Sequence, residues 1–179
     1  MRLAGRGLVL GDDISTDHII AGKYCRMADP DRLAPHALEG VLADFAQRVK
    51  KYEKGKARGG AIIVAGRNFG CGSSREQAPI ALRAAGVSAV VAESFGRIFF
   101  RNCINIGLPV MKCAGVGAAV RDGDRLSVDF AAGVLLRERG RRRLRGERLP
   151  RFMMEILEDG GLVPHVRRRL KGRLADGKT

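Results

Sequence analysis

Tryptophan is absent from these 179 residues, and seven phenylalanines and two tyrosines are all the aromatic rings present. So few stacking surfaces make the chain a poor reader of unpaired bases. Histidine is equally scarce, with His18, His36 and His165 standing far apart. The four cysteines, Cys25, Cys71, Cys103 and Cys113, include no C-x2-C pair. Structural metal sites draw on closely spaced Cys and His, so this chain is expected to hold no metal or cofactor of its own. Its cysteines are expected to be free thiols in a reducing compartment. No run of about 18 apolar residues occurs, as a membrane-spanning helix would need. The apolar stretch before Asp12 is too short for a secretory signal. A cytoplasmic protein with no membrane partner is the expectation.

Acidic residues are also in short supply, 19 against 33 Lys and Arg, for a net charge of +14. The excess is uneven, since residues 137–179 hold 14 basic and six acidic side chains. Such a field draws anions of any kind and does not choose among nucleic acid, acidic protein and polycarboxylate. What the chain does have is apolar content of 45% and 24 glycines, which fits a compact α/β protein long enough to bury a core.

The apolar pattern predicts a first strand at Leu8–Leu10 and then a polar loop, GDDISTDH. Residues 29–54 read as mostly helical, with Leu33, Ala37, Val41, Leu42 and Phe45 at helical spacing. An exposed loop, KGKARGG, follows. From Ala61 the chain alternates strand and helix. Strands are predicted at 61–65, 87–92 and 108–111, with helices at about 73–85 and 95–106, stopped by Gly86 and Gly107. This is the signature of βαβ units with parallel strands. Phe95, Ile98, Phe99 and Ile106 share a helical face and are expected in the core. Beyond the Asp122-Gly123 turn, residues 126–130 and 134–136 read as a β-hairpin. Residues 152–157 read as a short helix, and the tail VRRRLKGRLADGKT as a frayed or weakly helical end.

Two segments carry chemistry. One is Gly66-Arg67-Asn68-Phe69-Gly70-Cys71-Gly72-Ser73-Ser74-Arg75-Glu76. Its glycines let backbone N–H groups converge on an anion, and Ser73-x-x-Glu76 matches a capping box. Ser74 adds a second hydroxyl, and Arg75 a guanidinium able to grip a carboxylate bidentately. Pro79 fits poorly, because it falls in the second turn of a helix that begins at Ser73. The other segment is Asp12-Asp13-Ile14-Ser15-Thr16-Asp17-His18, directly after the first strand. Taken singly, each segment also reads as an ordinary turn or helix start.

Taken together, DDISTDHIIAGKY and GRNFGCGSSREQAPIALRAAGVSAVVAESFGRIFFRNCINIGLP closely resemble the small subunits of 3-isopropylmalate dehydratases and, more distantly, the swivel domain of aconitase. The similarity runs from about Gly11 to Met111. The resemblance implies an α/β fold: a single swivelling β/β/α domain over residues 1–165, with βαβ units and a C-terminal β-hairpin, then a basic tail at 166–179. It implies a hydro-lyase that removes water from a small hydroxy-dicarboxylate or tricarboxylate acid and adds it back in the other orientation. The partner would be a large subunit carrying a [4Fe–4S] cluster that binds the substrate hydroxyl, leaving this chain without a cluster. Ser73 would be the catalytic base. Ser74 and Arg75 would bind a substrate carboxylate, and Asp17, with Thr16 and His18, would line the opposite wall, Asp17 sharing in catalysis. The loop after GKY faces the variable group of the substrate in this family. Arg26 there would suit an extra carboxylate, as in a homoaconitase, whereas the resemblance as a whole favours isopropylmalate. Self-association of the isolated chain stays open.

A serine hydroxyl is a weak base, and each pK unit of alkoxide stabilisation requires about 1.4 kcal/mol. A helix N-terminus contributes about 0.3–2 kcal/mol. Arg75, converging amides and exclusion of water by a partner must supply the rest, so the chain alone should be inert. The rival reading rests on seven arginines between Arg137 and Arg148, which suit phosphate contacts. No recognised nucleic-acid motif accompanies them, and an exposed basic hairpin accounts for the run equally well, so no specific nucleic acid is expected.

Overall fold

The computed structural model describes residues 1–54 and 59–175. The centre of the predicted KGKARGG loop and the last four residues of the tail lie outside them. In chain order the strands are β1 (Arg2–Val9), β2 (Ala61–Ala65), β3 (Val87–Ala92), β4 (Val110–Lys112), β5 (Arg125–Asp129), β6 (Val134–Arg137) and β7 (Arg142–Arg145). The helices are α1 (Thr16–Ile19), α2 (Pro30–Leu33), α3 (Phe45–Lys54), α4 (Gln77–Ala84), α5 (Arg97–Ile106), α6 (Val116–Ala119), α7 (Arg151–Glu158) and α8 (Leu162–Ala175).

All seven strands form one sheet in the order β4-β3-β2-β1-β5-β6-β7. The first four run parallel, and β5, β6 and β7 join antiparallel at the other side of β1. β2 is buried along its whole length, as a parallel strand covered on both faces must be. Its alternate residues enter two cores. Ala61, Ile63 and Ala65 pack with Ile19, Leu33, Phe45, Leu82 and Phe99 from the helices. Ile62 and Val64 pack with Met111 of β4 and with Leu126, Val128 and Leu135 of β5 and β6.

Residues from opposite ends of the strand order meet in that second core only because the sheet rolls up. Closure is made just past β7, where the Glu147 N–H donates to the Lys112 carbonyl at 2.8 Å. A side chain at Gly146 would place its Cβ 2.8 Å from that same backbone oxygen and from Met111 Sδ. The closed sheet therefore requires glycine there.

Several expectations need correction. The helix foreseen over 29–54 is broken, with α2 ending at Leu33 and α3 starting at Phe45. Between them Leu38 takes a left-handed conformation (φ 54°) while fully buried, and Pro35 and Gly40 interrupt any continuous helix. The hairpin is present as β5 and β6, and it extends to a three-stranded meander because the arginine-rich Arg142–Arg145 segment is itself strand β7. The tail is helical rather than frayed through Ala175, the second of its two readings. It is the helix α8, anchored by Asp159, which bonds His165 Nδ1 at 2.6 Å and Arg168 at 2.7 Å. Ile98, expected in the core, is 43% exposed on α5.

Gly146→Ala should lower stability by about 1–3 kcal/mol, the usual cost of overpacking against backbone, as read by denaturant unfolding. An unchanged midpoint would show that the sheet closes without this contact.

Candidate functional site

The parallel strands deliver the chemistry-bearing residues to one sheet edge, where their carboxyl ends open into loops. Ligand sites in α/β proteins collect at the carboxyl ends of parallel strands, in rolled and open sheets alike. The loop after β1 and the loop after β2 lie side by side and bond in register. The Asp13 N–H donates to the Arg67 carbonyl (2.8 Å), Gly70 N–H to Ile14 (2.7 Å), and Thr16 N–H to Cys71 (2.8 Å). Side chains extend the ladder. Asp12 accepts from the Arg67 N–H and from its guanidinium at 2.8 Å each. Asn68 Nδ2 donates to Asp13 Oδ1 at 2.9 Å. Asp13 and Asn68 both stand at positive φ (55° and 58°), a conformation Asp and Asn tolerate better than most residues.

The Arg67 N–H and guanidinium hold the Asp12 carboxyl below its ordinary pKa. Because the folded value is depressed, this contribution to stability is complete above the ordinary carboxylate range. It fades only as pH falls through the depressed value, so the lock stays engaged around neutrality. A third loop, after β3, braces the second from behind. Ser94 Oγ accepts the Asn68 N–H at 2.9 Å. Phe69 is buried edge-on to Phe95 and Phe99. Gly70, at φ 75°, passes so close to Phe99 that a Cβ would sit 2.1 Å from its ring.

This frame presents the GCGSSR segment. Ser73 and Ser74 are exposed, and Arg75 is partly covered. The Thr16 hydroxyl donates to the Ser73 carbonyl at 2.8 Å. Arg75 Nη1 donates to the Ile20 carbonyl at 2.8 Å and Nη2 meets Asp17 Oδ1 at 2.5 Å. Three of its five N–H groups are left for a ligand. His18 Nδ1 accepts the Ser15 N–H, while Ser15 Oγ accepts the His18 N–H. That geometry puts the ring proton of a neutral His18 on Nε2. The loop holding Arg26 is tied to the site through the Cys25 carbonyl, which accepts from Gln77 Nε2 at 2.9 Å.

The two predicted segments thus meet, with three differences. Ser73 does not cap a helix, because α4 begins at Gln77 and its N-cap Glu76 makes no side-chain bond. The capping box lies instead at Ser15 and His18. Pro79 then falls in the first turn of α4, where no intrahelical donor is lost. Asp17 does not line an opposite wall but pairs directly with Arg75. Thr16 is 2% exposed with its hydroxyl engaged, so it positions Ser73 rather than touching a ligand. Arg26 is exposed and makes no ion pair among the described residues. Sequence reasoning missed Asp12, Arg67, Asp13, Asn68 and Ser94 as the frame. A paired Asp and Asn in glycine-rich loops was the available signal.

Among the described residues no group of three or more His, Cys, Asp or Glu is placed to hold a metal ion. Cys103 and Cys113 are buried, and burial pushes both thiols up, Cys103 far up. These residues do not fit an iron–sulfur cluster. No helix among the described residues is long and apolar enough to cross a membrane.

The chain carries an aconitase C-terminal domain, whose family model matches residues 23–114, the stretch that holds the serine–arginine loop. Within that class the chain belongs to the family of 3-isopropylmalate dehydratase small subunits. It is 48% identical to 3-isopropylmalate dehydratase small subunit 1 of Methanopyrus kandleri, covering 93% of each chain. It is 44% identical to the isopropylmalate/citramalate isomerase small subunit of Methanocaldococcus jannaschii, over 94% of this chain and 95% of that one. A crystal structure of 3-isopropylmalate dehydratase from M. jannaschii superposes with a TM-score of 0.88 at 39% identity, covering 98% and 99% of the two chains.

Thr16→Val should cost about 1 kcal/mol, the usual net contribution of one hydrogen bond, and Thr16→Ser should recover most of it. Denaturant unfolding of both variants measures this. A Val variant as stable as the parent would remove the hydroxyl from the lock.

Proposed function

We propose that this chain is the small subunit of a hydro-lyase that interconverts 2-isopropylmalate and 3-isopropylmalate, a step of leucine biosynthesis, with Ser73 as its base. The observation that carries the reading is the Thr16–Ser73 and Asp17–Arg75 pairing, which holds a hydroxyl and a guanidinium together on an exposed edge. Family membership supplies the reaction class and a large-subunit partner. On this reading the partner carries a [4Fe–4S] cluster that would bind the substrate hydroxyl, and this chain contributes protein side chains alone.

One substrate carboxylate sits on the free N–H groups of Arg75, with the Ser74 hydroxyl as a further donor. The Asp17 ion pair and the Ile20 carbonyl fix the guanidinium, so little side-chain entropy remains to be lost on binding. The Ser73 oxygen takes the proton from the carbon next to the one bearing the hydroxyl. Ser73 acts as the alkoxide and becomes a hydroxyl, and the electron pair of that C–H bond becomes the C=C bond. The C–O bond breaks with its pair on oxygen, the hydroxide leaving toward the large subunit, where a proton makes it water. Rehydration in the opposite sense returns the proton from Ser73. His18 is exposed with its Nδ1 engaged by Ser15, and its Nε2–H serves as another donor to the acid.

Ser73 lies four residues ahead of the first residue of α4, so the helix dipole, which fades within a turn, lends it little. Stabilisation of the alkoxide falls to Arg75, to loop amides freed by the glycines, and to a partner that excludes water. An exposed serine has none of the last, so the chain alone is inert.

Arg26 is the residue on which substrate choice turns. It stands in the loop bonded to Gln77, two residues beyond Arg75, and a guanidinium there suits a third carboxylate. A homoaconitate-type acid is therefore the second reading, and citramalate, named for the M. jannaschii relative, a third.

Ser73→Ala in the reconstituted two-subunit enzyme should lower kcat by about 10²–10⁴-fold, the range for a lost acid–base group, with subunit affinity intact. Retention of more than a tenth of kcat would exclude Ser73 as the base. Arg26→Val should lower kcat/KM at least tenfold on a tricarboxylate and less than threefold on isopropylmalate. Equal losses on both acids would deny Arg26 a part in specificity.

A further inference from the structure

Monomers rarely expose large apolar patches without a partner for them, and this chain exposes a connected one. At the catalytic edge a cavity of about 520 Å³ is lined by Phe95, Ile98 and Phe100 and by the cations Arg97, Arg101 and Lys112. Arg101 also lines a second cavity, of about 290 Å³, with Asn105, Phe152 and Ile156. Phe152 and Ile156 in turn line a third, of about 400 Å³, with Leu162, Val166 and Leu170. Shared walls make these one groove, running from the end of β4 along α5 and across α7 to α8. Ile98, Phe152 and Leu170 are 43%, 58% and 53% exposed along it.

The groove begins at the functional site. Phe95 forms a bridge with Phe69 of the glycine loop. A Cβ on Gly96 would meet the Gly70 carbonyl at 2.4 Å. Any polypeptide that closes over Ser73 therefore meets the mouth of the groove. Its charge narrows the occupant further. Three cations without an ion pair among the described residues, Arg97, Arg101 and Arg169, line it with Lys112, which pairs with Glu147, against one carboxylate, Glu155, which is paired with Arg151. A second copy docked by two-fold symmetry would set this cationic surface against itself.

We infer that the α5–α7–α8 groove is the docking surface for the large subunit, taking a segment of apolar side chains flanked by carboxylates. This rests on the proposed two-subunit function for its occupant and goes beyond it in placing the interface. The rim cations steer the encounter, and the apolar floor holds the complex.

The test is the dissociation constant between the full chain and the large subunit from the same source, expressed separately and reconstituted without oxygen, measured by sedimentation without substrate. Arg101→Glu and Phe152→Asp should each raise Kd at least tenfold, with kcat at saturating large subunit within twofold of the parent. Ile98→Ser and Val166→Ser test the same face where an acidic variant fails to fold, and each should raise Kd severalfold. Kd values within twofold of the parent would overturn the assignment. So would a Phe152→Asp variant that abolishes self-association of the isolated chain yet binds the large subunit normally, since the groove would then serve a second copy. Because binding is read without turnover, a parent complex that binds but leaves isopropylmalate unchanged counts against the proposed reaction and not against the interface.

Discussion

Everything functional in this structure depends on the register between the loops that follow β1 and β2. Parallel strands place the two loop origins side by side, and four rungs then fix them: Asp12 on Arg67, Asp13 on Asn68, Thr16 on Ser73, and Asp17 on Arg75. Each rung alone is a modest interaction, worth about 1 kcal/mol where water competes. Their value lies in arriving together, since a slip of one residue would break all four. Preorganisation of this kind lets exposed side chains hold a catalytic arrangement without a surrounding pocket.

The same arrangement explains why the site is incomplete in one polypeptide. Ser73 and Ser74 face solvent, and the larger cavities lie beside them rather than around them. Water screens any charge that forms on an exposed oxygen, so the strong electrostatic stabilisation that the proposed Ser73 base demands requires the edge to be covered. A frame built by one chain and a cover supplied by another is a consistent division of labour for the family, and it leaves the small subunit free to be small.

Much of this was legible in the sequence, and the residues explain where legibility stopped. The α/β class and the strands at 61–65 and 87–92 follow from apolar runs between glycine stops, and the structure and relatives bear the class out. The bringing together of Asp17 with Arg75 followed from resemblance, whereas their direct ion pair is a tertiary fact that no spacing reveals. The supposed cap at Ser73 failed because an S-x-x-E pattern is satisfied as readily by an irregular loop, and Pro79 was the warning that α4 starts later. Strand β7 was hidden by arginine, and arginine left helix α8 only weakly legible. A basic segment reads as solvated until β6 offers it an edge or Asp159 offers it an anchor. Ile98 fits the helical period of the core, and its exposure shows only once the register of α5 is fixed.

The central claim is that an acid is held by Arg75 with its transferable proton on Ser73, under a second subunit. A crystal structure of the reconstituted complex with a bound isopropylmalate analogue tests it most directly. The account predicts a carboxylate in hydrogen-bond contact with Arg75, the Ser73 oxygen facing the carbon that loses its proton, and the four rungs unchanged. An analogue bound away from this edge, with Ser73 still facing solvent, would contradict it.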